Sequence, residues 1–197
     1  MSETRSDPRR VKTDGGDIEF RLMSRADEAA VLAFAQKLPT HDLLFLPRNI
    51  SQPKVLSAWI SEIERGAITS LLAVKGDAVV GCGTLVRDPH SWSPHVGEIR
   101  MVVSSDVRGQ GVGRAMSQET LALALGAGLE KLSVQMTVDQ QAAIALFESL
   151  GFKAEALLPD HVRDVAGAKH DIVVLGHNVA QVRAQMEAYG LPAAVQR

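Results

Sequence analysis

Apolar and polar residues alternate along "DIEFRL", placing Ile18, Phe20 and Leu22 on one side; this period of two predicts a half-buried strand. At Ser24 and Asp27 the pattern changes. Those two residues can open a helix, apolar positions then recur at helical spacing through "ADEAAVLAFAQKL", and Pro39 closes it. "THDLLFLPRNISQ" settles into neither period and predicts a loop. "PKVLSAWISEIERG" returns to helical spacing, with proline first, Val55, Leu56, Trp59, Ile60 and Ile63 on one side, and Gly66 at the end.

The two apolar runs "AITSLLAVK" and "AVVGCGTLVR" flank a Gly-Asp turn and predict a hairpin over residues 67–87. Gly81 and Gly83 fall on one face of its second strand, where a missing side chain admits a ligand or another backbone, or else marks a bulge or a local fit against a bulky core residue. After the turn-rich "DPHSWSPH", "VGEIRMVVSS" reads as a strand with Glu98, Arg100 and Val102 on one face and Ile99, Met101 and Val103 on the other.

Beyond the glycine-rich "VRGQGVGRAM", "RAMSQETLALALGAG" predicts a helix ending at Gly126 or Gly128, and "KLSVQMTV" a strand. "DQQAAIALFESLGF" is a short helix ended by Gly151, "FKAEALL" and "KHDIVVLGH" are strands, and "PDHVRDVAGA" reads as the hairpin-type loop between them. Asn178 can cap a last helix, "VAQVRAQMEAYG", whose apolar stripe holds Val179, Val182, Met186 and Tyr189. The fold class is therefore mixed α/β (α+β), with a sheet of about seven strands flanked by helices.

A chain of 197 residues, 46% hydrophobic, supports one sizeable core. Residues 1–16 are polar, contain proline and end in Gly15-Gly16, which predicts a mobile tail; residues 17–177 form the domain and 178–197 a C-terminal helix and tail. With 21 Lys+Arg against 23 Asp+Glu there is no basic stripe of the kind nucleic acid requires. The first residues lack an apolar signal core and no segment reaches the length of a membrane span, so the expected location is cytoplasmic, with no membrane partner. Cys82 is the single cysteine, which excludes an internal disulfide, and no ligand spacing predicts a metal.

The candidate chemistry lies in the glycines. A strand that stops, a glycine turn and a helix start leave several backbone N–H groups unpaired at the positive end of a helix dipole, and that geometry binds phosphates. The dinucleotide pattern G-x-G-x-x-G fails because Arg114 stands at its third glycine, and the Walker pattern has no match. The pattern Gln/Arg-x-x-Gly-x-Gly/Ala is matched by Arg108, Gly111 and Gly113.

With this pattern the chain resembles the GNAT superfamily of acyl-CoA-dependent N-acyltransferases, in which the turn holds the pyrophosphate of coenzyme A. The order of elements over residues 17–177 is similar, and "QQAAIALFESLGF" looks like the family's N-x-x-A-x-x-x-Y-x-x-x-G-F. The resemblance implies a mostly antiparallel twisted sheet whose fourth and fifth strands, "VGEIRMVVSS" and "KLSVQMTV", are splayed apart. It implies acetyl-CoA as cosubstrate, cradled by the backbone of Gly109, Gln110, Gly111, Val112, Gly113 and Arg114, with Arg108 adding a charged contact. Met101, Val102 and Val103 then match the segment that pairs with the pantetheine arm like an added strand.

Two positions depart from the family pattern. Gln140 stands where an asparagine often contacts the cofactor, and its amide can substitute. Phe147 stands where many members carry the tyrosine that protonates the leaving thiolate, and it has no proton to give. Tyr189 suits packing better than an acid role; water or Ser149 are the remaining donors, and the ordinary thiol pKa of about 8.5 makes the thiolate a tolerable leaving group without one.

Glu98 resembles a glutamate that deprotonates the attacking amine in several members, with a structural or solvent-facing carboxylate as the alternative. An oxyanion donor is expected at a bulge near Val102 or Val103. His41, His90 and His95 lie in segments that line the family's acceptor site. The implied activity is transfer of an acetyl group from acetyl-CoA to a primary amine of a small molecule or protein, by direct attack within a ternary complex. The alternatives are a non-catalytic acyl-CoA-binding module, favoured by Phe147, or an interaction subunit that docks a partner or forms a homodimer through the terminal stripe.

Overall fold

The computed structural model describes residues 8–46 and 48–180. The strands are β1 (Arg9–Thr13), β2 (Gly16–Leu22), β3 (Ile68–Lys75), β4 (Ala78–Arg87), β5 (Val96–Val103), β6 (Lys131–Thr137), β7 (Lys153–Arg163) and β8 (Lys169–Asn178). The helices are α1 (Glu28–Lys37), α2 (Pro53–Glu64), α3 (Val112–Gly126) and α4 (Gln141–Ser149). They make one open sheet in the order β1-β2-β3-β4-β5-β6-β8-β7. Only β5 and β6 pair in parallel, and the crossover between them is made by α3.

Side-chain alternation puts a core on each face. Leu72, Cys82 and Val102 turn to α1 and α2, where they meet Val31, Phe34, Leu56, Trp59 and Ile60. On the other face Ile18, Phe20, Leu71, Ala73 and Val80 meet Val112, Ala115 and Met116 of α3, while Ile99, Val134 and Met136 pack with Ala124 and Phe147. Asp27 secures the entry to α1: its carboxylate accepts the Ser24 N–H (2.9 Å) and hydroxyl (3.1 Å) and a bidentate pair from Arg21. Those bonds, led by Arg21, lower the pKa of Asp27.

The sheet has eight strands where seven were expected, because residues 9–13 of the expected mobile tail form β1. "RRVKT" holds a single apolar residue, Val11, and pairs with β2 through its backbone, so no period betrays it. An edge strand rich in Arg and Lys suits such a position. β7 runs to Arg163, beyond the expected "FKAEALL". Pro159 is accommodated by an irregular register between Leu158 and Val162, with Asp160 at φ 53°. The expected terminal helix, including Val182, Met186 and Tyr189, lies outside the described residues, as do residues 1–7 of the tail. Among the described residues no helix is long and apolar enough to cross a membrane.

Gly81 and Gly83 answer to α3. A Cβ on Gly81 would lie 3.0 Å from Met116 Cε, and one on Gly83 would lie 2.8 Å from Thr120 Oγ1. A close fit against α3 therefore accounts for both, and a register shift between Ala73 and Val74 also lies beside the Ala73↔Gly81 pair.

Candidate active site

β5 and β6 pair over four residues only, from Val96↔Lys131 to Ile99↔Val134. Both strands continue past that point, β5 to Val103 and β6 to Thr137, without pairing to each other, which is the expected splay. On its other side β5 stays paired with β4 in unbroken register from Arg87↔Gly97 to Gly81↔Val103. There is consequently no bulge at Val102 or Val103, contrary to expectation.

The unbroken strand fixes which donors face the gap. The Ser104 N–H donates to Val80 O at 2.8 Å, on the β4 side. N–H groups two residues apart point the same way along a strand, so those of Val102 and Arg100 also turn to β4, and those of Met101 and Val103 turn to the gap. Met101 and Val103 thus present unpaired donors, while Val102 does not.

At the end of β5 the chain makes a short 3₁₀ turn, Ser105–Val107, and enters the glycine stretch. Gly109 (φ 72°) and Gly111 (φ 80°) are left-handed, a conformation that costs a residue with a Cβ about 1 kcal/mol or more. Gly111 is the N-cap of α3, so the first N–H groups of the helix, at Val112, Gly113 and Arg114, have no partner within it. Gly113 has ordinary backbone angles, and a Cβ there would meet only Leu146 at 3.7 Å.

The side chains of the turn are tethered to the protein. Arg108 pairs with Asp42, a carboxylate that is 8% exposed. Gln110 Nε2 donates to Asp106 O at 3.0 Å, and Arg114 donates to Ser149 Oγ at 3.0 Å. The Ser149 hydroxyl itself donates to Leu146 O at 2.7 Å, so its proton is already engaged.

Across the gap, Gln140 carries the clearest signal. Its backbone carbonyl caps α4 by accepting the N–H of Ala143 and Ile144, both at 3.0 Å, while its side-chain Oε1 is buried without a hydrogen-bond partner. A buried acceptor left unpaired costs about 1–3 kcal/mol, which a ligand N–H would recover. Phe147 is 3% exposed and meets Phe152 edge-on with centroids 5.2 Å apart. It offers no polar atom.

The loop expected over "THDLLFLPRNISQ" contains a 3₁₀ segment, Thr40–Phe45, that packs on both β5 and β6. Adjacent residues fasten it to opposite sides of the splay: Asp42 to Arg108 beyond β5, and His41 Nε2 to Asp139 Oδ2 (2.8 Å) beyond β6. The Thr137 hydroxyl, with His41 adding to it, lowers the pKa of Asp139. The His41 ring also meets the His170 ring edge-on at 5.5 Å, and His170 is bonded to Asp164 (2.9 Å). The sequence singled out His41 but not the Asp42, Asp139 and His170 contacts, which join segments far apart in the chain.

Glu98 accepts a two-point hydrogen bond from Arg100 (2.9 and 3.0 Å). Alternation from Val102 puts both on the face toward α1 and α2. His90 and His95 are exposed; the His95 carbonyl accepts the N–H of Glu130 (2.9 Å) and Lys131 (3.2 Å), a backbone role, and His90 lines a cavity beside α2. Among the described residues no group of three or more His, Cys, Asp or Glu is placed to hold a metal ion.

A sheet splayed beside a left-handed glycine turn that caps a helix is the arrangement that the resemblance to acyl-CoA-dependent transferases implied. The description of the Acetyltransferase (GNAT) family matches residues 37–152, more than half of the chain, and the protein belongs to that family. It is 24% identical over 108 residues to N-alpha-acetyltransferase 30 of Schizosaccharomyces pombe, covering 54% of this chain and 72% of that one. Three further relatives are matched over 37%, 45% and 50% of their own lengths, so the chain spans half or less of those proteins. The fold is shared with a GNAT acetyltransferase of Streptococcus pneumoniae (TM-score 0.71, 18% identity, 82% of this chain and 99% of that one). It is shared equally with yncA of Salmonella typhimurium, solved with its cofactor acetyl-CoA (TM-score 0.70, 18% identity, 82% and 94%). The family's chemistry is acyl transfer, and its donor is acetyl-CoA.

Proposed function

We propose that this protein transfers an acetyl group from acetyl-CoA to a primary amine by direct attack within a ternary complex. The observation that carries the reading is the unpaired edge of β5 leading straight into the glycine turn, and it is supported by the buried Gln140 Oε1, just beyond β6, which has no hydrogen-bond partner. Acetyl-CoA supplies an activated acyl carbon on a thiolate leaving group. N–H groups from Gly109 to Arg114, reinforced by the α3 dipole, suit the pyrophosphate. Arg108 and Arg114 add charge, Arg108 by exchanging Asp42 for phosphate. Met101 and Val103 N–H groups suit the pantetheine amide and the carbonyl oxygen, and Val102 and Phe147 pack behind them.

Glu98 takes the proton of the incoming ammonium, directly or through water; each of its oxygens keeps a lone pair beyond those given to Arg100. The new bond joins the amine nitrogen to the acyl carbon, the carbon–sulfur bond breaks, and the sulfur leaves as thiolate to be protonated by water. Neither Phe147, which lacks a hydroxyl, nor Ser149, whose proton is engaged with Leu146, replaces the family's tyrosine among the described residues. That absence favours one second reading, a binding module that holds acetyl-CoA without turnover.

Calorimetric titration of acetyl-CoA into wild type and Gly113→Asp tests the binding. The variant adds a carboxylate at the turn with an ordinary Cβ contact, so it is expected to fold and to bind at least 10-fold more weakly. Thiol release on adding amines separates the enzyme from the binding module.

A further inference from the structure

A cavity of about 560 Å³ lies between α2, the start of β3 and the end of β4. Its volume is that of a small-molecule site. The floor is apolar: Trp59 lies in it, held by a hydrogen bond from its Nε1 to Ser70 Oγ (3.2 Å), beside Ile50 and Ile68. Its charge is cationic, with four guanidiniums, those of Arg48, Arg65, Arg87 and Arg100, against the carboxylates of Glu62 and Asp88.

Two of the four are committed elsewhere. Arg65 pairs with Glu62 and Arg100 with Glu98, while Asp88 accepts the backbone N–H of His90 at 2.9 Å. Arg48 and Arg87 have no acidic hydrogen-bond or ion-pair partner among the described residues. Arg100 also locates the cavity relative to the chemistry. It is the first residue of β5 beyond the last β5–β6 pair, and its side chain both lines the cavity and holds Glu98, so the cavity abuts the Glu98–Arg100 pair.

We infer that this cavity is the acceptor pocket and that it takes a small primary amine carrying a carboxylate on an apolar body. The inference rests on the acyl-transfer reading above. Arg48 and Arg87 receive the carboxylate in charge-assisted hydrogen bonds, the Trp59 floor receives the apolar body, and the amine is left toward Glu98. A neutral amine gains nothing from the two arginines, and a protein chain is a poor fit for a pocket of this size.

The test uses the two tryptophans of the chain. Trp92 is fully exposed, so Trp92→Phe leaves Trp59 as the sole reporter of the cavity. In that background, with coenzyme A present, L-leucine, L-methionine and L-phenylalanine are each titrated against their own amides while emission is followed. At least one acid is expected to bind 10-fold or more tightly than its amide, to lose that advantage in Arg48→Gln and Arg87→Gln, and to release thiol from acetyl-CoA. Equal or better binding of every amide, unchanged binding in both arginine variants, or no binding by any of the six probes overturns the proposal. Calorimetry with acetyl-CoA keeps the failures apart: retained acetyl-CoA binding with no acid preference sinks the acceptor class alone, and lost acetyl-CoA binding sinks the transferase reading.

Discussion

The carboxylate of Asp42, on the 3₁₀ segment between α1 and α2, is paired with Arg108 of the glycine turn. Asp42 is nearly buried and Arg108 half exposed, so the pair joins the 3₁₀ segment to the glycine turn at a site partly shielded from water. Removing Arg108 strands a buried charge, whereas Asp42→Asn removes the charge itself. Urea unfolding should therefore show Arg108→Ala costing more than Asp42→Asn. The double variant should fall short of the sum by about 1 kcal/mol. Strict additivity contradicts the coupling.

Gly83 is set by α3. An added methyl at 2.8 Å from Thr120 Oγ1 cannot be absorbed by a fully buried threonine whose hydroxyl is bonded to Met116 O at 2.9 Å. Gly83→Ala should cost about 1–3 kcal/mol, and Thr120→Ala in the same chain should return part of it. Equal losses with and without Thr120 would place the strain elsewhere.

Cys82 is 2% exposed, and burial pushes its thiol pKa up to about 12. In the unfolded chain the group ionises near its ordinary value of about 8.5, so above that pH the folded state holds a proton that the unfolded state releases. Stability consequently falls as pH rises from about 9 toward 12. Cys82→Ala should flatten that decline in urea melts between pH 8 and 10. The native thiol should also resist a thiol reagent that labels it promptly in urea.

Glu98→Gln keeps the shape of the Arg100 contact and removes the base. Turnover should fall about 100-fold while acetyl-CoA affinity, measured by calorimetry, stays the same. An unchanged rate would leave Glu98 a structural partner of Arg100.

Much of this was readable in the sequence because it rests on local rules. Alternation locates β2 and β5, apolar runs around a Gly-Asp turn locate β3 and β4, proline opens α2, and the glycines of 109–113 mark a turn, which the structure builds with left-handed backbone at Gly109 and Gly111. What escaped has causes that no local period carries. β1 is held by backbone pairing with one apolar side chain, and "THDLLF" looks aperiodic because it serves two strands at once through His41 and Asp42. The missing bulge in β5 shows only in the register with β4, and it moves the gap-facing donors to Met101 and Val103. The four arginines of the cavity come from separate segments that the fold alone brings together.

Amide hydrogen exchange resolved at single residues tests the central claim most directly. In the free protein the N–H groups of Met101 and Val103 should exchange fast and those of Arg100 and Val102, bonded to β4, slowly. Saturating acetyl-CoA should slow Met101 and Val103, together with Gly111 to Arg114, and leave Arg100 and Val102 as they were. Fast exchange at Met101 and Val103 that acetyl-CoA does not alter would contradict an acyl donor lying along the open edge of β5.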